Sequence, residues 1–408
     1  MSEKRRDSKG RILRNGESQR TDGRYAFKYV DKNGNQKFVY SWKLEATDAI
    51  PKGKRGKESL REKERQILKD LEDDIKPGAG KITVLELVTK YTDQKTGVRH
   101  NTRANYGFVM NIIRKEPFGA KRIDRVKLSD AKAWLIRLQQ SGRGYSSITT
   151  IRGVVRPAFQ MAVDDDLIRK NPFQFQLSTV VVNDSVTREA LSPEQEENLL
   201  RFIRDDKHFS RYYEGIYILF NTGLRISEFV GLTLKDIDME NRIIHVTHQL
   251  QRTRTMEYVI EDTKTGSGTR DIPMSEGVFK CFRKILTQRR PPKVETMIQG
   301  HSGFLYYDKN GLPMVALHWE KYFQHICLKY NRLHENPVPK VTPHVCRHTF
   351  CSKMANSGMN PKTLQRIMGH ADISVTLNTY THVGFDQTKE ELNKIYRDLD
   401  DRAAASGE

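Results

Sequence analysis

Six side chains in the second half of the sequence have the chemistry to break and reseal a phosphodiester. They are two arginines, a lysine, two histidines and a tyrosine, namely Arg225, Lys264, His344, Arg347, His370 and Tyr380. Attack at phosphorus builds negative charge on the nonbridging oxygens, requires a nucleophile in line, and requires a proton for the departing oxygen. Arginine suits the first task because its guanidinium stays charged and binds two phosphate oxygens at once. No acidic ligand set stands out here, so we expect chemistry without a metal or a cofactor.

Both arginines lie near predicted helix starts. Gly223 ends one helix, so Arg225 begins the next one close to a positive helix terminus that favours phosphate. Pro343 fixes another start, which puts His344 and Arg347 at positions i and i+3 on one face, about 5 to 6 Å apart at Cβ. A single arginine at a helix start is more often a surface ion pair, so the prediction depends on the whole set.

The histidines and the tyrosine complete the set. An imidazole side chain titrates near neutral pH, so His344 could exchange a proton with the tyrosine hydroxyl. The adjacent His348 points elsewhere on the helix, and we expect it to be structural or a hydrogen bonder in the core. His370 follows Gly369, which ends a further helix, and could donate to a nonbridging oxygen, although such a histidine often serves only as a cap. Tyr380 is the candidate nucleophile, because a phosphotyrosine ester conserves the bond energy and can be reversed.

Lys264 lies in a glycine-rich stretch, residues 262–273, with two runs that resemble strands close by, at 243–246 and 258–260. This pattern predicts a hairpin. A lysine on such a turn is usually a solvated charge, and its flanking residues alone do not give it a role.

The order Arg, Lys, His-x-x-Arg, Gly-His, Tyr resembles the tyrosine recombinases, or phage-type integrases, and most closely the integrases of conjugative transposons. The segments that carry this resemblance are residues 222–228, 262–273, 342–348, 368–370 and 379–382. In one respect the chain departs from the pattern, since Tyr380 follows His370 with one residue more than is common.

The resemblance implies that Lys264 protonates the leaving 5′ oxygen and that Tyr380 forms a 3′-phosphotyrosine. It further implies a tetramer on double-stranded DNA, with core-type and arm-type sites and strand exchange through a Holliday junction. An excisionase and a host DNA-bending protein are the accessory partners it suggests. Two other classes stay open: a type IB topoisomerase, which uses the same chemistry as a monomer, and a DNA-binding regulator that forms no covalent adduct.

The elements that would position these residues suggest a multidomain α+β protein. We predict an arm-type DNA-binding domain over 1–75, a core-binding helical domain over 82–175, a catalytic domain over 188–385 and a tail helix over 386–408. The expected folds are a three-stranded sheet with one helix, an all-α (SAM-like) bundle, and a mostly helical domain with a small antiparallel sheet. The tail has a narrow apolar stripe that needs a partner, which we expect in a neighbouring subunit: Leu392, Ile395 and Leu399.

In the first domain, aromatic residues alternate with polar ones on both sides of an Asn-Gly turn at 33–34, which predicts a hairpin. We expect most of these aromatics to form the core: Tyr25, Phe27, Tyr29, Phe38, Tyr40 and Trp42. The opposite face would then meet DNA through its basic residues, Arg24, Lys28, Lys37 and Lys43. Arg103, in the helical domain, is a further candidate for DNA binding. Four or five helices are expected there, of which the second, third and fourth start near Asn101, Ser129 and Ser146.

Composition agrees with a nucleic-acid partner. The 408 residues include 70 Lys and Arg against 51 Asp and Glu, a net charge of +19 with a pI near 9.6. Such a balance favours a polyanion through counterion release, although solubility alone could explain it. The four cysteines have no metal or disulfide spacing, and neither a signal peptide nor an apolar run of 18 residues is present. We therefore expect a cytoplasmic, nucleoid-associated bacterial protein with no membrane contact.

Overall fold

A three-stranded antiparallel sheet packed on one helix forms the beginning of the chain. In this computed structural model the described residues are 4–31, 34–72, 81–185, 189–253, 255–263, 266–380, 393, 396 and 397. They divide into two compact units, Met1–Val186 and Thr187–Glu408. The sheet has the order β1-β2-β3, with strands β1 (Glu17–Gln19), β2 (Tyr25–Val30) and β3 (Gln36–Ser41), and the helix is α1 (Leu60–Glu72).

The aromatic side chains of this sheet divide between its two faces. Tyr25 and Phe27 are buried against Leu44 and Leu60, as predicted. Phe38 is 51% exposed and Tyr40 is 37% exposed, however, so these two are not among the aromatics that form the core. The register explains the difference, because paired residues share a face and Phe38 pairs with the exposed Lys28.

The same register shows that the four basic candidates do not share one face. Lys37 pairs with Tyr29, on the face that packs against the helix, whereas Lys28 lies on the outer face. Both lysines are exposed. The alternation predicted that both lysines lie on the face opposite the core, and this prediction is wrong for Lys37.

Four α-helices lie in the described residues 81–185 of the first unit, in agreement with the prediction of a helical domain. They are α2 (Val84–Asp93), α3 (His100–Lys115), α4 (Leu128–Gln140) and α5 (Tyr145–Asp164). Their shared core includes Trp134, which stacks on Phe118 with ring centroids 4.4 Å apart, and Phe173, which meets Trp134 edge-on. One continuous apolar cluster therefore joins the four helices.

The second unit is mostly helical and contains two small antiparallel sheets, of order β4-β5-β8 and β6-β7. Its first elements are α6 (Pro193–Asp205), α7 (Tyr213–Thr222), α8 (Ile226–Gly231), β4 (Ile237–Asp238), β5 (Ile243–Val246), β6 (His248–Arg252), β7 (Tyr258–Asp262) and β8 (Arg270–Pro273). They are followed by α9 (Glu276–Gln288), α10 (Ala316–Leu333), α11 (Pro343–Asn356), α12 (Pro361–Met368) and α13 (Ile373–Tyr380). A core around Phe229, Trp319 and Phe323 joins most of these elements, and a separate small cluster around Phe350 and Leu364 packs α11 against α12.

The hairpin predicted around Lys264 is not formed by the two runs that suggested it. Residues 243–246 and 258–260 are both in strands, but β5 pairs with β4 and β8, whereas β7 pairs with β6. Lys264 itself lies outside the described residues, as does most of the predicted tail helix, including Leu392, Ile395 and Leu399. The four domain boundaries stay predictions. No helix within the described part of the chain has the length and apolar character needed to cross a bilayer.

Candidate active site

Arg225 lies where helix α7 ends and helix α8 begins. Gly223 ends α7 in the left-handed conformation, with φ of 67°, and Arg225 is the N-cap of α8. A Cβ at Gly223 would lie 2.7 Å from the sulfur of Met368, so only glycine fits this close approach. The sequence predicted both the glycine cap and the helix start at Arg225.

Arg347 lies on helix α11, which begins at Pro343 after the N-cap Thr342 as predicted. Its side chain is buried, with only 4% of the residue exposed. Its Nη1 donates to the Gly223 carbonyl at 2.5 Å, and its Nη2 donates to the Met368 carbonyl. Burial, followed by the neighbouring charge of Arg225, lowers the pKa of Arg347 to about 9, so the group stays charged at neutral pH.

The two guanidinium groups converge on consecutive carbonyls. Arg225 Nη2 donates to the Gly369 carbonyl at 2.9 Å, next to the Met368 carbonyl that accepts from Arg347. His370 follows directly. Residues 225, 347 and 370, which are far apart in sequence, are thus brought together at the end of α12.

Glu228 and Arg270 lie in the same cluster, and sequence reasoning gave neither of them a role. Glu228 accepts hydrogen bonds from Arg225 Nη1 at 2.7 Å and from Arg270 Nη2 at 2.9 Å. Burial by itself raises the pKa of the Glu228 carboxyl, but Arg270 and then Arg225 hold that pKa below its usual range. Two arginines, Arg225 and Arg270, are therefore ion-paired with one ionised carboxylate. The signal that could have found Glu228 is its capping position, three residues after Arg225.

His370 is held by a threonine on the next helix. Its Nδ1 lies 2.9 Å from the Thr376 hydroxyl on α13, and Thr376 is completely buried. Burial, together with the charges of Arg347, Arg225 and Arg270, lowers the pKa of His370 to about 4. The ring is therefore neutral at physiological pH, so that it can act as a hydrogen-bond donor without adding charge.

His344 and His348 form a pair on the exposed face of α11. Their Nε2 atoms are 3.1 Å apart and their rings meet edge-on. Both residues are exposed, so the expectation that His348 points away as a core hydrogen bonder was wrong. The reason is helical geometry, because positions i and i+4 share a face just as i and i+3 do.

Tyr380 is the last residue of α13 and is half-buried. Its hydroxyl donates to the Met359 carbonyl at 2.5 Å, and its ring packs against a small cluster that includes Phe350 and Leu364. Burial raises the pKa of Tyr380 above its ordinary value. The contacts of the described residues therefore link Arg225, Arg347 and His370, but hold the tyrosine hydroxyl on a different carbonyl.

The candidate DNA-binding residues lie in the first unit. Arg24 is ion-paired with Asp22 at 2.6 Å and lies over the rings of Tyr40 and Trp42, 5.4 and 5.7 Å from their centroids. Lys43 donates to a backbone carbonyl. Lys28, Lys37 and Arg103 are exposed.

Comparison with known proteins gives the class. Residues 189–387 match the phage integrase family, and residues 1–71 match the DNA binding domain of Tn916 integrase. The chain belongs to the phage integrase family and is a tyrosine recombinase, which confirms the predicted family, fold class and type of enzyme.

The relatives are transposon proteins. The chain is 46% identical to the transposase from transposon Tn916 of Enterococcus faecalis, and equally to that of transposon Tn1545 of Streptococcus pneumoniae, over 98% of each chain. The Tn1549 transposon integrase, solved in complex with a circular intermediate DNA, is 44% identical with a TM-score of 0.74. That match covers 77% of this chain and 99% of the solved one. A lambda integrase dimer bound to a core site shares the fold, at 15% identity and a TM-score of 0.51.

Proposed function

We propose that this protein is a site-specific DNA recombinase that integrates and excises a conjugative transposon through a covalent 3′-phosphotyrosine. The observation that carries the proposal is the convergence of Arg225 and Arg347 on the carbonyls of Met368 and Gly369, next to His370. Its transposon relatives support the type of element, because the similar Tn1549 integrase was solved with circular intermediate DNA and with transposon right end DNA.

Charge explains how this cluster would hold a scissile phosphate. Three guanidinium groups and one carboxylate leave a net charge of +2 around Arg225, Arg270, Arg347 and Glu228. A phosphate that exchanged for the carbonyls of Met368 and Gly369 would be held by Arg225 and Arg347, the two arginines that donate to them. Guanidinium groups placed in advance also stabilise the charge that develops on the nonbridging oxygens in the transition state.

The remaining residues would move the protons. The Tyr380 oxygen attacks phosphorus, its proton passes to His344, and the bond from phosphorus to the 5′ oxygen breaks. Lys264 supplies the proton to that leaving oxygen, and the neutral His370 donates a hydrogen bond to a nonbridging oxygen. Attack by a 5′ hydroxyl on the phosphotyrosine reverses these steps and reseals the strand. Because Tyr380 donates to the Met359 carbonyl, its hydroxyl has to leave that acceptor before it can attack.

The first unit would supply the DNA sites. We assign arm-type binding to residues 1–75 and core-type binding to residues 82–175. On the outer face of the sheet, Lys28 pairs with the exposed Phe38, and Arg24 lies over Tyr40, so basic and aromatic groups alternate there. Such a ribbon can enter a groove, with cations on the phosphates and flat side chains against the sugars and bases. Lys37, Lys43 and Arg103 are assigned to phosphate contacts.

Recombination between two sites implies an assembly. We assign the chain to a tetramer on DNA, with catalysis in residues 188–385, exchange through a Holliday junction, and the tail 386–408 packed on a neighbouring subunit. An excisionase and a host DNA-bending protein would set the direction. The place of action would be the bacterial cytoplasm, on the nucleoid.

The test is covalent capture on a nicked suicide duplex that carries an attachment site. The unchanged protein should give a 3′-linked adduct, and Tyr380→Phe should give none while its DNA affinity stays the same. Tyr322→Phe, which also removes one hydroxyl from the second unit, should still form the adduct. Two intact attachment sites should then recombine. An adduct with Tyr380→Phe would place the nucleophile elsewhere, and relaxation of supercoils without site preference would favour a type IB topoisomerase.

A further inference from the structure

Arg270, on strand β8, carries a charge that is almost completely removed from solvent. Its side chain is 2% exposed, and that of its ion-pair partner Glu228 is 3% exposed. A buried ion pair contributes little net stability, because removing both charges from water offsets their attraction. The geometry of this pair is therefore more informative about its role than the stability it provides.

One guanidinium group connects three separate segments. Arg270 Nη1 and Nη2 donate to the two carboxylate oxygens of Glu228, at 3.1 and 2.9 Å. Nη1 also donates to the Gly268 carbonyl at 2.9 Å, and Nε donates to the Ile367 carbonyl at 2.6 Å. Helix α8, the turn before β8 and the last turn of α12 thus meet on a single side chain.

Two of these segments hold the residues that would bind phosphate. Glu228 also accepts from the backbone N–H and the Nη1 of Arg225, at 2.8 and 2.7 Å. Ile367 directly precedes the two carbonyls to which Arg347 and Arg225 donate, and lies three residues before His370. A shift of the Arg270 side chain would therefore move both Arg225 and His370.

Arg270 is not itself suited to bind the substrate. A guanidinium has five N–H donors, and the contacts above use four of those of Arg270. A bidentate phosphate contact needs two. The Arg225 side chain, in contrast, is 39% exposed and uses two side-chain donors on described residues.

We propose that Arg270 is a positioning residue, which through Glu228 and the Ile367 carbonyl holds Arg225 and the 368–370 segment in the geometry that binds the scissile phosphate. This inference rests on the proposed function, since it assumes that Arg225 neutralises a nonbridging oxygen. Lysine at position 270 keeps the charge but cannot make the forked contact to Glu228 and still reach both carbonyls.

The experiment compares two suicide duplexes with the full-length protein. One has an ordinary scissile phosphate, and the other has a methylphosphonate, in which a methyl group replaces a nonbridging oxygen and removes its charge. Single-turnover adduct formation is measured at saturating protein for Arg270→Lys and Arg225→Ala. Arg289→Lys is the matched control, because the Arg289 side chain is only 9% exposed and also ion-paired, but holds Glu295 and the Phe304 carbonyl instead.

On the ordinary phosphate, Arg270→Lys should slow cleavage by about a hundredfold, as a small misplacement of reacting groups does. DNA affinity should not change, and the cost in thermal stability should be similar to that of Arg289→Lys, which cleaves normally. On the methylphosphonate, the cleavage rates of Arg270→Lys and Arg225→Ala should both come close to the rate of the unchanged protein on the same duplex. A purely structural role would give Arg270→Lys the same deficit on both duplexes.

The other outcomes are decisive as well. Normal cleavage by Arg270→Lys, or recovery on the methylphosphonate by Arg225→Ala alone, overturns the positioning role. If Arg225→Ala does not recover either, the proposed task of Arg225 is wrong and the inference falls with it. Should Arg270→Lys fail to fold, the double variant Arg270→Met with Glu228→Gln removes both buried charges and is subject to the same criteria.

Discussion

Arg347 is buried, and no carboxylate in the described part of the chain is ion-paired with it. Only 4% of the residue is exposed, and among the described residues its guanidinium donates to the carbonyls of Gly223 and Met368 and forms no ion pair. A buried charge that lacks a counter-charge is costly, and a bound phosphate would remove that cost. The site thus favours an anion before any substrate contact is specified, whereas Arg225 is already partly neutralised by Glu228.

Thr376 should matter as much for cleavage as the histidine that it holds. Thr376→Val keeps the buried shape but removes the hydroxyl that lies 2.9 Å from His370 Nδ1. The ring then loses its fixed tautomer and orientation, and we expect single-turnover cleavage to fall by about tenfold, as when the hydrogen-bond partner of a functional histidine is removed. Thr376→Ser should restore the rate. Nitrogen chemical shifts of His370 that do not differ between the threonine and valine proteins would contradict this explanation.

His370 should also affect stability in acid. Its pKa of about 4 in the folded protein is below the ordinary value of 6.5, chiefly because of burial and then because of the arginines. Between these two pH values the unfolded chain binds the proton more readily, so stability is lost as the pH falls from 6.5 towards 4. His370→Gln removes this effect. From pH 7 to pH 5, the unchanged protein should lose about 2 kcal/mol more unfolding free energy than the variant, measured by urea denaturation. Equal losses would show that His370 titrates normally.

At the scale of elements, helix ends could be predicted because capping is local. The sequence places the start of α11 at Pro343 and the end of α12 at Gly369, and both agree with the structure. Strand partners could not be predicted, since β5 pairs with β8 although β6 and β7 lie between them in the chain, and nothing local specifies that register.

The same limit applies to the candidate site. Arg225, Arg347 and His370 each lie in a local motif, so their contribution was visible in the sequence. Arg270 and Thr376 act through contacts that only the tertiary fold creates, such as the one between Arg270 and Glu228, 42 residues apart. The exposed Phe38 was missed for a similar reason, because alternation gives two faces but does not say which one packs against α1.

Gly223 connects the two arginines, and replacing it should show how closely the elements are packed. Gly223→Ala introduces a Cβ at φ of 67°, 2.7 Å from the sulfur of Met368 and 2.8 Å from the Phe350 ring. Gly358→Ala is the matched control, because Gly358 has φ of 75° but nothing lies within 4 Å of its added Cβ. We expect backbone strain of about 1 kcal/mol in both variants.

Overpacking should add about 1 to 3 kcal/mol for Gly223→Ala alone. Chemical denaturation of the two variants measures the difference. Cleavage should fall with Gly223→Ala only, since the Gly223 carbonyl accepts from Arg347. Two variants of equal stability would mean that the Met368 and Phe350 side chains move away from the added Cβ without loss of unfolding free energy.

At the scale of the whole molecule, positive charge is distributed unevenly. Residues 1–186 contain 39 Lys and Arg against 23 Asp and Glu, a net charge of +16, whereas residues 187–408 contain 31 against 28, a net charge of +3. In the second unit, which is nearly balanced overall, Arg225, Arg270 and Arg347 with the single carboxylate of Glu228 are a local excess of positive charge at the candidate site. The first unit has the excess that non-specific attraction to DNA requires.

The effect of salt on DNA affinity should consequently arise mostly from the first unit. In a full-length variant with Arg24→Ala, Lys28→Ala and Arg103→Ala, log affinity should fall less steeply with log salt. The magnitude of the slope should decrease by about one for each phosphate that the variant no longer neutralises. The control variant replaces three exposed lysines of the second unit with alanine, Lys207, Lys280 and Lys309, and changes the net charge equally. Because counterions are released only where cations meet phosphates, the control should keep nearly the full slope. Equal slopes for the two variants would mean that total charge, and not the position of the cations in the first unit, determines how the protein is held on DNA.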